Sequence, residues 1–578
     1  MKHLKISGAL VALVVLNSCA PNEAQQEEKM ALDYPETRKD TSVVEDYFGT
    51  MVADPYRWLE DDRAPETEAW VEAENKLTFS YLEGIPYRAE LKEEMTKLWN
   101  YEKVSAPADH GDYTYFSKND GLQNQAVLYR FPKGESMDSA SVFLDPNTFA
   151  EDGSSSLAGL SFTQDGSLCA YQISEGGSDW RKVVIMNTAT MELLGDTLRD
   201  VKFSGLSWRG TEGFYYSSYD KPKEGSQLTG LTNTHKLFFH KMGTAQAEDE
   251  LIFGGPTMKR RYVGGYVTED QQYLVISAAE STTGNELYIK KLGDKSAKIL
   301  NIVAGYDSDQ SIIHSEGEDL YLSTNLNAPN QKVVKTTFTK LSPDHWIDFI
   351  PETENVLNIG TAGGKFFATY MIDAINKVYQ YNLAGELERE IALPGPGSAG
   401  GFGGNWDDKE IYYSFTNYVY PASTFKYDIS SGESELYRKS AVDFDSEKYE
   451  SKQVFYTSKD GTKVPMIITH KTGLQLDGSN PTLLYGYGGF NVSLTPGFRT
   501  SNIVFLQQGG IYAVANLRGG GEYGEEWHQA GMMLNKQNVF DDFIAAGEFL
   551  ISEGYTSKAR LAIEGGSNGG LLVGAVMY

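Results

Sequence analysis

Short aromatic and β-branched runs, each preceded by a turn rich in Asp, Gly or Glu, recur between residues 100 and 441 of the chain. The runs are Tyr113–Phe116, Leu168–Tyr171, Gly213–Tyr216, Tyr273–Ile276, Leu320–Ser323, Lys365–Ala368 and Ile411–Ser414. Followers such as Val127–Tyr129, Lys182–Ile185, Lys236–Phe239, Glu286–Ile289, Lys377–Tyr379 and Thr424–Tyr427 read as second strands. Successive units start about 45 to 60 residues apart, the period of a four-stranded blade. A β-sandwich or several small β domains would also use such strands. Seven near-regular units predict a seven-bladed β-propeller over 100–441.

The pattern changes on either side. Asp54–Asp61 leads into a segment with Trp70, Ala73, Leu77 and Tyr81 at helical spacing, an N-terminal helical arm over 34–99. From residue 442, Val454–Tyr456 and Val464–Ile468 flank the turn Lys459-Asp460-Gly461-Thr462 and read as a hairpin. Beyond it, Thr482–Tyr485, Ile511–Ala515 and Arg560–Ile563 are short buried-type strands, and each runs into a glycine-rich loop. Phe540, Phe543, Ile544, Gly547, Leu550 and Ile551 recur at helical spacing between the second and third, as in a βαβ crossover. An α/β domain over 442–578 follows, and open parallel sheets bind ligands where their strands end.

The third glycine loop, Gly565-Gly566-Ser567-Asn568-Gly569-Gly570, has the form of a nucleophile elbow, with a serine on a sharp strand-to-helix turn flanked by small residues. In a chain with 58 glycines a chance G-x-S-x-G is the competing reading. The strand before Ser567, the apolar run Leu571–Val576 after it and the two earlier loops favour a serine hydrolase of α/β-hydrolase fold. In that fold the triad acid and histidine follow the serine, whereas His3, His110, His235, His240, His314, His345, His470 and His528 all precede Ser567. The chain is therefore expected to lack its triad Asp and His, to be truncated after the elbow, and to be inactive as it stands.

Charge and cysteine usage narrow the partners. A net charge of −28, from 51 basic and 79 acidic residues, argues against nucleic-acid binding. Lys2 and Lys5 before the apolar stretch Ile6–Leu16 form an export signal over 1–18, too short to span a bilayer. It ends in Leu16-Asn17-Ser18-Cys19, which resembles a bacterial lipobox with Cys19 as the lipidated residue; ordinary signal cleavage is the alternative. Residues 19–33 read as a polar tether. With Cys19 lipidated, Cys169 alone remains, so no internal disulfide is expected, and its strand-like context predicts a buried, unreactive thiol. No histidine or cysteine spacing suggests a metal, and no cofactor is expected.

A propeller between an N-terminal arm and a serine-elbow α/β domain resembles the prolyl oligopeptidase family, over nearly the whole chain from Tyr34. Tyr485-Gly486-Tyr487-Gly488-Gly489-Phe490, Asn516–Gly524 and Gly565–Gly570 are similar to the prolyl endopeptidase branch. The resemblance implies a serine endopeptidase acting on short proline-containing peptides through an acyl-enzyme. It implies Ser567 as nucleophile, the Asn568 backbone N–H and the Tyr487 hydroxyl as oxyanion donors, and Phe490, with Asn568, at the substrate, Phe490 walling a proline pocket. Arg518 and Glu522 read as structural ion-pair partners. A monomer of the bacterial envelope, held by lipid alone, is the matching expectation. A related oligopeptidase of other specificity, or a peptide-binding propeller with a hydrolase remnant, remains the alternative.

Overall fold

The computed structural model describes residues 32–61, 64–221 and 230–577. The export segment, Cys19 and most of the tether lie outside the described residues. Compactness divides the chain after Arg88. In the first unit Val44–Tyr47 pairs with Thr50–Ala53 in a hairpin, and a helix runs over Pro65–Glu83. Pro65 opens that helix, where its missing N–H has no partner to lose. Trp70 donates its indole N–H to Thr37 Oγ1 at 2.9 Å. The helix matches the spacing of Trp70, Ala73 and Leu77. The hairpin is not expected from the sequence, because all its strand residues are exposed and no apolar alternation marks them.

In the second unit, seven antiparallel blades of consecutive strands run from Lys103 to Arg438 among the described residues. In the first blade the inner strand is broken into Lys103–Val104 and Ala108–His110, both paired with Tyr113–Asn119; Pro107, which has no N–H to give, lies in the gap. The aromatic runs seen in the sequence are the second strands of the blades, not the first, and their followers are the third. Neighbouring blades cover both faces of these middle strands, so Tyr273–Ala279 is almost wholly buried. Inner strands such as Tyr262–Val267 and outer ones such as Ser434–Arg438 are more exposed and carry weaker signals. Cys169 is fully buried in a second strand, and burial pushes its thiol pKa well up.

Turns between first and second strands meet at one end of the propeller. Gln164 Nε2 of the second blade donates to Glu269 O of the fourth at 3.0 Å, and Trp406 N of the seventh donates to Glu269 Oε1 at 2.7 Å. Trp406 also stacks on His314 of the fifth blade, with ring centroids 3.5 Å apart. Contacts between non-neighbouring blades run across the axis, so they obstruct this end. Turns at the other end meet the α/β domain. Gln453 Nε2 donates to Asp373 O at 2.6 Å, Tyr523 OH to Asp373 Oδ1 at 2.9 Å, and Glu525 N to Pro329 O at 3.2 Å.

The α/β domain has strands β1 (Tyr449–Thr457), β2 (Lys463–Lys471), β3 (Thr482–Tyr485), β4 (Ile511–Ala515) and β5 (Leu561–Glu564) in the order β1-β2-β4-β3-β5. β3 is parallel to both β4 and β5, while β1 and β2 run antiparallel. Helices α1 (Thr500–Gln507), α2 (Gly524–Gln529), α3 (Gln537–Ser552) and α4 (Asn568–Met577) complete it. Strand alternation serves two cores. Ile511, Ala513 and Ala515 pack with Phe543, Ala546 and Leu550 of α3, whereas Tyr512 and Val514 pack with Ile503 and Leu506 of α1, together with Leu98 and Tyr418.

The buried face of α3 includes Phe543, Gly547 and Leu550 of the expected one, with Phe540 packed against the same core, and departs from it at Ile544 and at the buried Asp542. Val539, Asp542, Phe543, Ala546, Gly547 and Leu550 face inward, whereas Ile544 is 44% exposed. The reason is a buried ion pair. Arg518 donates through Nε and Nη2 to the two oxygens of Asp542 at 2.9 and 2.6 Å, and through Nη1 to Asp460 at 2.5 Å. Ser458 Oγ adds a bond to Asp542 Oδ1 at 2.5 Å. A bidentate pair of this kind locks the loop after β4 to α3 and to the β1–β2 turn.

Candidate active site

Three parallel strands end at one edge of the sheet, in Tyr485, Ala515 and Glu564, and the glycine loops that follow converge there. Gly486 N donates to Glu564 O at 3.2 Å, and Asn491 N donates to Gly519 O at 3.2 Å. The chain turns from β5 into α4 at Ser567, whose φ of +53° is left-handed and strained for a residue with a side chain. Gly570 N closes the turn onto Ser567 O at 2.9 Å. Gly565 makes the turn possible, since a Cβ there would lie 2.4 Å from Gly569 O. Ser567 is exposed at the mouth of the turn.

Asn568, the first residue of α4, ties the elbow to the first glycine loop: its Nδ2 donates to Tyr487 O at 3.0 Å. A Cβ at Gly489 would sit 2.5 Å from that nitrogen, so the second glycine of the pair is what admits the amide. Tyr487 is half-buried, belongs to neither apolar cluster of the domain, and its hydroxyl makes no hydrogen bond among the described residues. Phe490 is 51% exposed, and it and Asn491 have φ of +53° and +57°. Its ring belongs to none of the hydrophobic clusters among the described residues.

The loop after β4 departs from expectation in one respect. Arg518 is an ion-pair partner, of Asp542 and Asp460, and its hydrogen bond pulls the Asp460 carboxyl down to about 2. Glu522 is not. It is 2% exposed, makes no ion pair among the described residues, and accepts instead from Leu494 N at 2.8 Å and Asn516 Nδ2 at 3.1 Å. Burial pushes its carboxyl up to about 7. A charge partner is missing because Arg518 points the other way, into α3. Lys536 Nζ donates to Gly488 O at 2.7 Å, and His528 Nδ1 lies 2.9 Å from Gly519 O. His528, Lys536 and Asp542 are supports that no local sequence signal marked, since each acts on a backbone or charge elsewhere in the chain.

No described histidine hydrogen-bonds to Ser567. No cluster of three metal-ligating side chains occurs among the described residues. Nor is any described helix long and apolar enough to cross a membrane.

A strained serine between a parallel strand and a helix, beside two glycine loops and under a propeller, defines an α/β-hydrolase of the serine peptidase type. The family models agree: "Prolyl oligopeptidase, N-terminal beta-propeller domain" matches residues 35–440 and "Prolyl oligopeptidase family" matches residues 496–578. The chain belongs to the prolyl oligopeptidase family of serine peptidases. It is 56% identical to a prolyl endopeptidase of Elizabethkingia meningoseptica over its whole length and 80% of that protein's. It is 35% identical to a prolyl endopeptidase of Dictyostelium discoideum, over 95% of this chain and 81% of that one. A solved structure from a mechanistic study of two prolyl endopeptidases superposes with a TM-score of 0.88 at 35% identity, covering 94% of this chain and 80% of the other. Prolyl oligopeptidase B of Galerina marginata, solved with a 35mer hydrolysis and macrocyclization substrate, has a TM-score of 0.86 at 32% identity, over 94% and 80% of the two chains.

The buried Glu522 gives stability a definite pH dependence. Its folded-state value of about 7 lies above the ordinary 4.5, so between these values the folded protein keeps a proton that the unfolded chain has released. Stability from this group is therefore full below pH 4.5, falls as pH rises, and is lost above about 7. The difference is about 3 kcal/mol. Denaturant titrations from pH 4 to 8 should show Glu522→Gln flattening that decline relative to wild type; parallel curves for the two proteins would contradict it.

Proposed function

We propose that the protein is a serine endopeptidase that cleaves short peptides after proline through an acyl-enzyme on Ser567. The observation that supports this reading is the bond from Asn568 Nδ2 to Tyr487 O at 3.0 Å, which ties the glycine loop carrying Tyr487 to the elbow carrying Ser567. Ser567 Oγ attacks the scissile carbonyl carbon as a general base takes its proton. The carbonyl oxygen gains charge and accepts from the Asn568 backbone N–H and the Tyr487 hydroxyl. Asn568 N belongs to the first turn of α4, where unpaired N–H groups and the helix dipole favour negative charge. The Tyr487 hydroxyl, free of any protein partner among the described residues, is available to donate. Collapse expels the leaving amine, and water then releases the acyl group. The open ring of Phe490 offers a flat apolar wall to a pyrrolidine ring, and the names of the relatives at 56% and 35% identity support proline as the preferred residue.

None of the described histidines reaches Ser567, so the general base is drawn from another residue. Family resemblance puts it, with its aspartate, after the elbow. Residues 20–578 alone are accordingly expected to turn over a proline chromogenic peptide at background. The decisive comparison uses this chain joined to the rest of the family's α/β domain. There Ser567→Ala should abolish turnover, and Tyr487→Phe should lower kcat by roughly 10²–10³ with KM little changed, because the bond strengthens as charge develops. Near-normal kcat with earlier unfolding in Tyr487→Phe would show a packing role instead.

We further propose that the protein is exported and anchored through Cys19, on the strength of Lys2, Lys5, the apolar stretch Ile6–Leu16 and the Leu16–Cys19 lipobox. Cys19→Ser should move the protein from the membrane to the soluble fraction of a bacterial host. Unchanged fractionation would count against the anchor.

A further inference from the structure

Glu522 presents a physical problem that the reaction does not solve. A carboxyl with almost no exposure and no cation beside it is costly to bury. The groups that face it are Asn516 from the end of β4, Leu494 N from the loop after Phe490, its neighbour Tyr523 and Tyr418 from the seventh blade, with no basic residue in hydrogen-bond reach. The geometry shows what it does there. Glu522 Oε1 accepts from Leu494 N at 2.8 Å, and Asn516 Nδ2 donates to Leu494 O at 2.7 Å while also bonding Glu522 Oε1 at 3.1 Å. Both backbone groups of Leu494 are thus held by one pair of side chains, as a strand partner would hold them. Asn516 is itself fixed, its N–H donating to Pro465 O of β2 at 3.0 Å.

Leu494 lies four residues after Phe490, and the segment between begins with two left-handed residues, Phe490 and Asn491. Otherwise Val492 N to Gly489 O at 3.1 Å, and Asn491 N to Gly519 O at 3.2 Å and to His528 Nδ1 at 3.1 Å, support it among the described residues. Left-handed residues with side chains persist where their surroundings over-determine them. We propose that Glu522, together with Asn516, is a positioning residue: by clamping Leu494 it keeps the Phe490–Asn491 turn left-handed and so presents the Phe490 ring to the substrate. This inference rests on the reading of Phe490 as a wall of the proline pocket. The clamp itself does not depend on catalysis.

Hydrogen exchange read by mass spectrometry on residues 20–578 tests the clamp without any turnover. Glu522→Ala removes the acceptor and should speed exchange of the Asn491–Leu494 amides about tenfold, the effect of losing a hydrogen bond to a buried carboxyl, while α3 amides keep their wild-type rates. Glu522→Gln keeps an acceptor oxygen and should stay within about twofold of wild type in that segment. Unchanged exchange in Glu522→Ala, or equal acceleration in α3, would overturn the clamp. In the chain joined to the rest of the α/β domain, Glu522→Ala should raise KM for a proline substrate more than for its alanine counterpart, with kcat changed less than KM. An equal effect on both substrates would overturn the positioning role and leave the Ser567 reading standing. Loss of cleavage by the unmutated enzyme would instead overturn the proposed function, with the exchange rates still deciding the clamp.

Discussion

A Cβ at Gly565 would lie 2.4 Å from Gly569 O, and one at Gly569 would lie 3.0 Å from Gly486 O. Backbone packed directly on backbone is the constraint from which the rest of the site follows. Strand β5 must become helix α4 within a few residues, and the first glycine loop must lie against that turn. With side chains at these points the loops would stand apart, and Asn568 Nδ2 would not reach Tyr487 O. The strain that results is local, at Ser567, Phe490 and Asn491. A serine held left-handed on such a turn keeps its hydroxyl out in the open, where a bound peptide can meet it.

Electrostatics then hold the loops in place by two different means. Arg518 and Asp542 form a buried bidentate pair, in which each charge offsets the desolvation of the other. Removing either partner would leave the other buried and unpaired. Glu522, four residues from Arg518, has no such partner and resolves its burial by holding a proton toward neutral pH. The same short loop continues to Tyr523 and Glu525, which bond to Asp373 and Pro329 of the propeller. One stretch of chain, 516–525, therefore contacts α3, the Phe490 segment and two propeller blades. The propeller in turn is obstructed at its far end by Trp406, Glu269 and Gln164.

The sequence was most legible where both faces of an element are buried. The second and third strands of each blade announce themselves as apolar runs because neighbouring blades cover them, and their regular recurrence was enough to count seven blades. Inner and outer strands went unread: one lines a channel and the other meets solvent, so neither needs a continuous apolar run. The three strand-to-glycine-loop junctions and the Ser567 elbow were readable because only small residues fit there. The inward face of α3 is legible at Phe543, Gly547 and Leu550 but not at Asp542, a polar residue buried by its pairing with Arg518 that hydrophobic spacing takes no account of. Glu522 reads as an ion-pair partner because it shares a loop with Arg518. Its real contact, the backbone of Leu494, carries no side-chain signature in the sequence.

The central claim, that Ser567 is a nucleophile held for attack on a proline peptide, is tested most directly by covalent labelling. The chain joined to the remaining part of the family's α/β domain would be treated with a peptidyl phosphonate bearing a proline analogue at the reactive position, digested and mapped by mass spectrometry. A single adduct is expected on the peptide that begins at Leu561, located at Ser567 and absent in Ser567→Ala. It should form faster than with the corresponding alanine reagent. An adduct on another residue, or peptide cleavage that survives Ser567→Ala, would contradict the account.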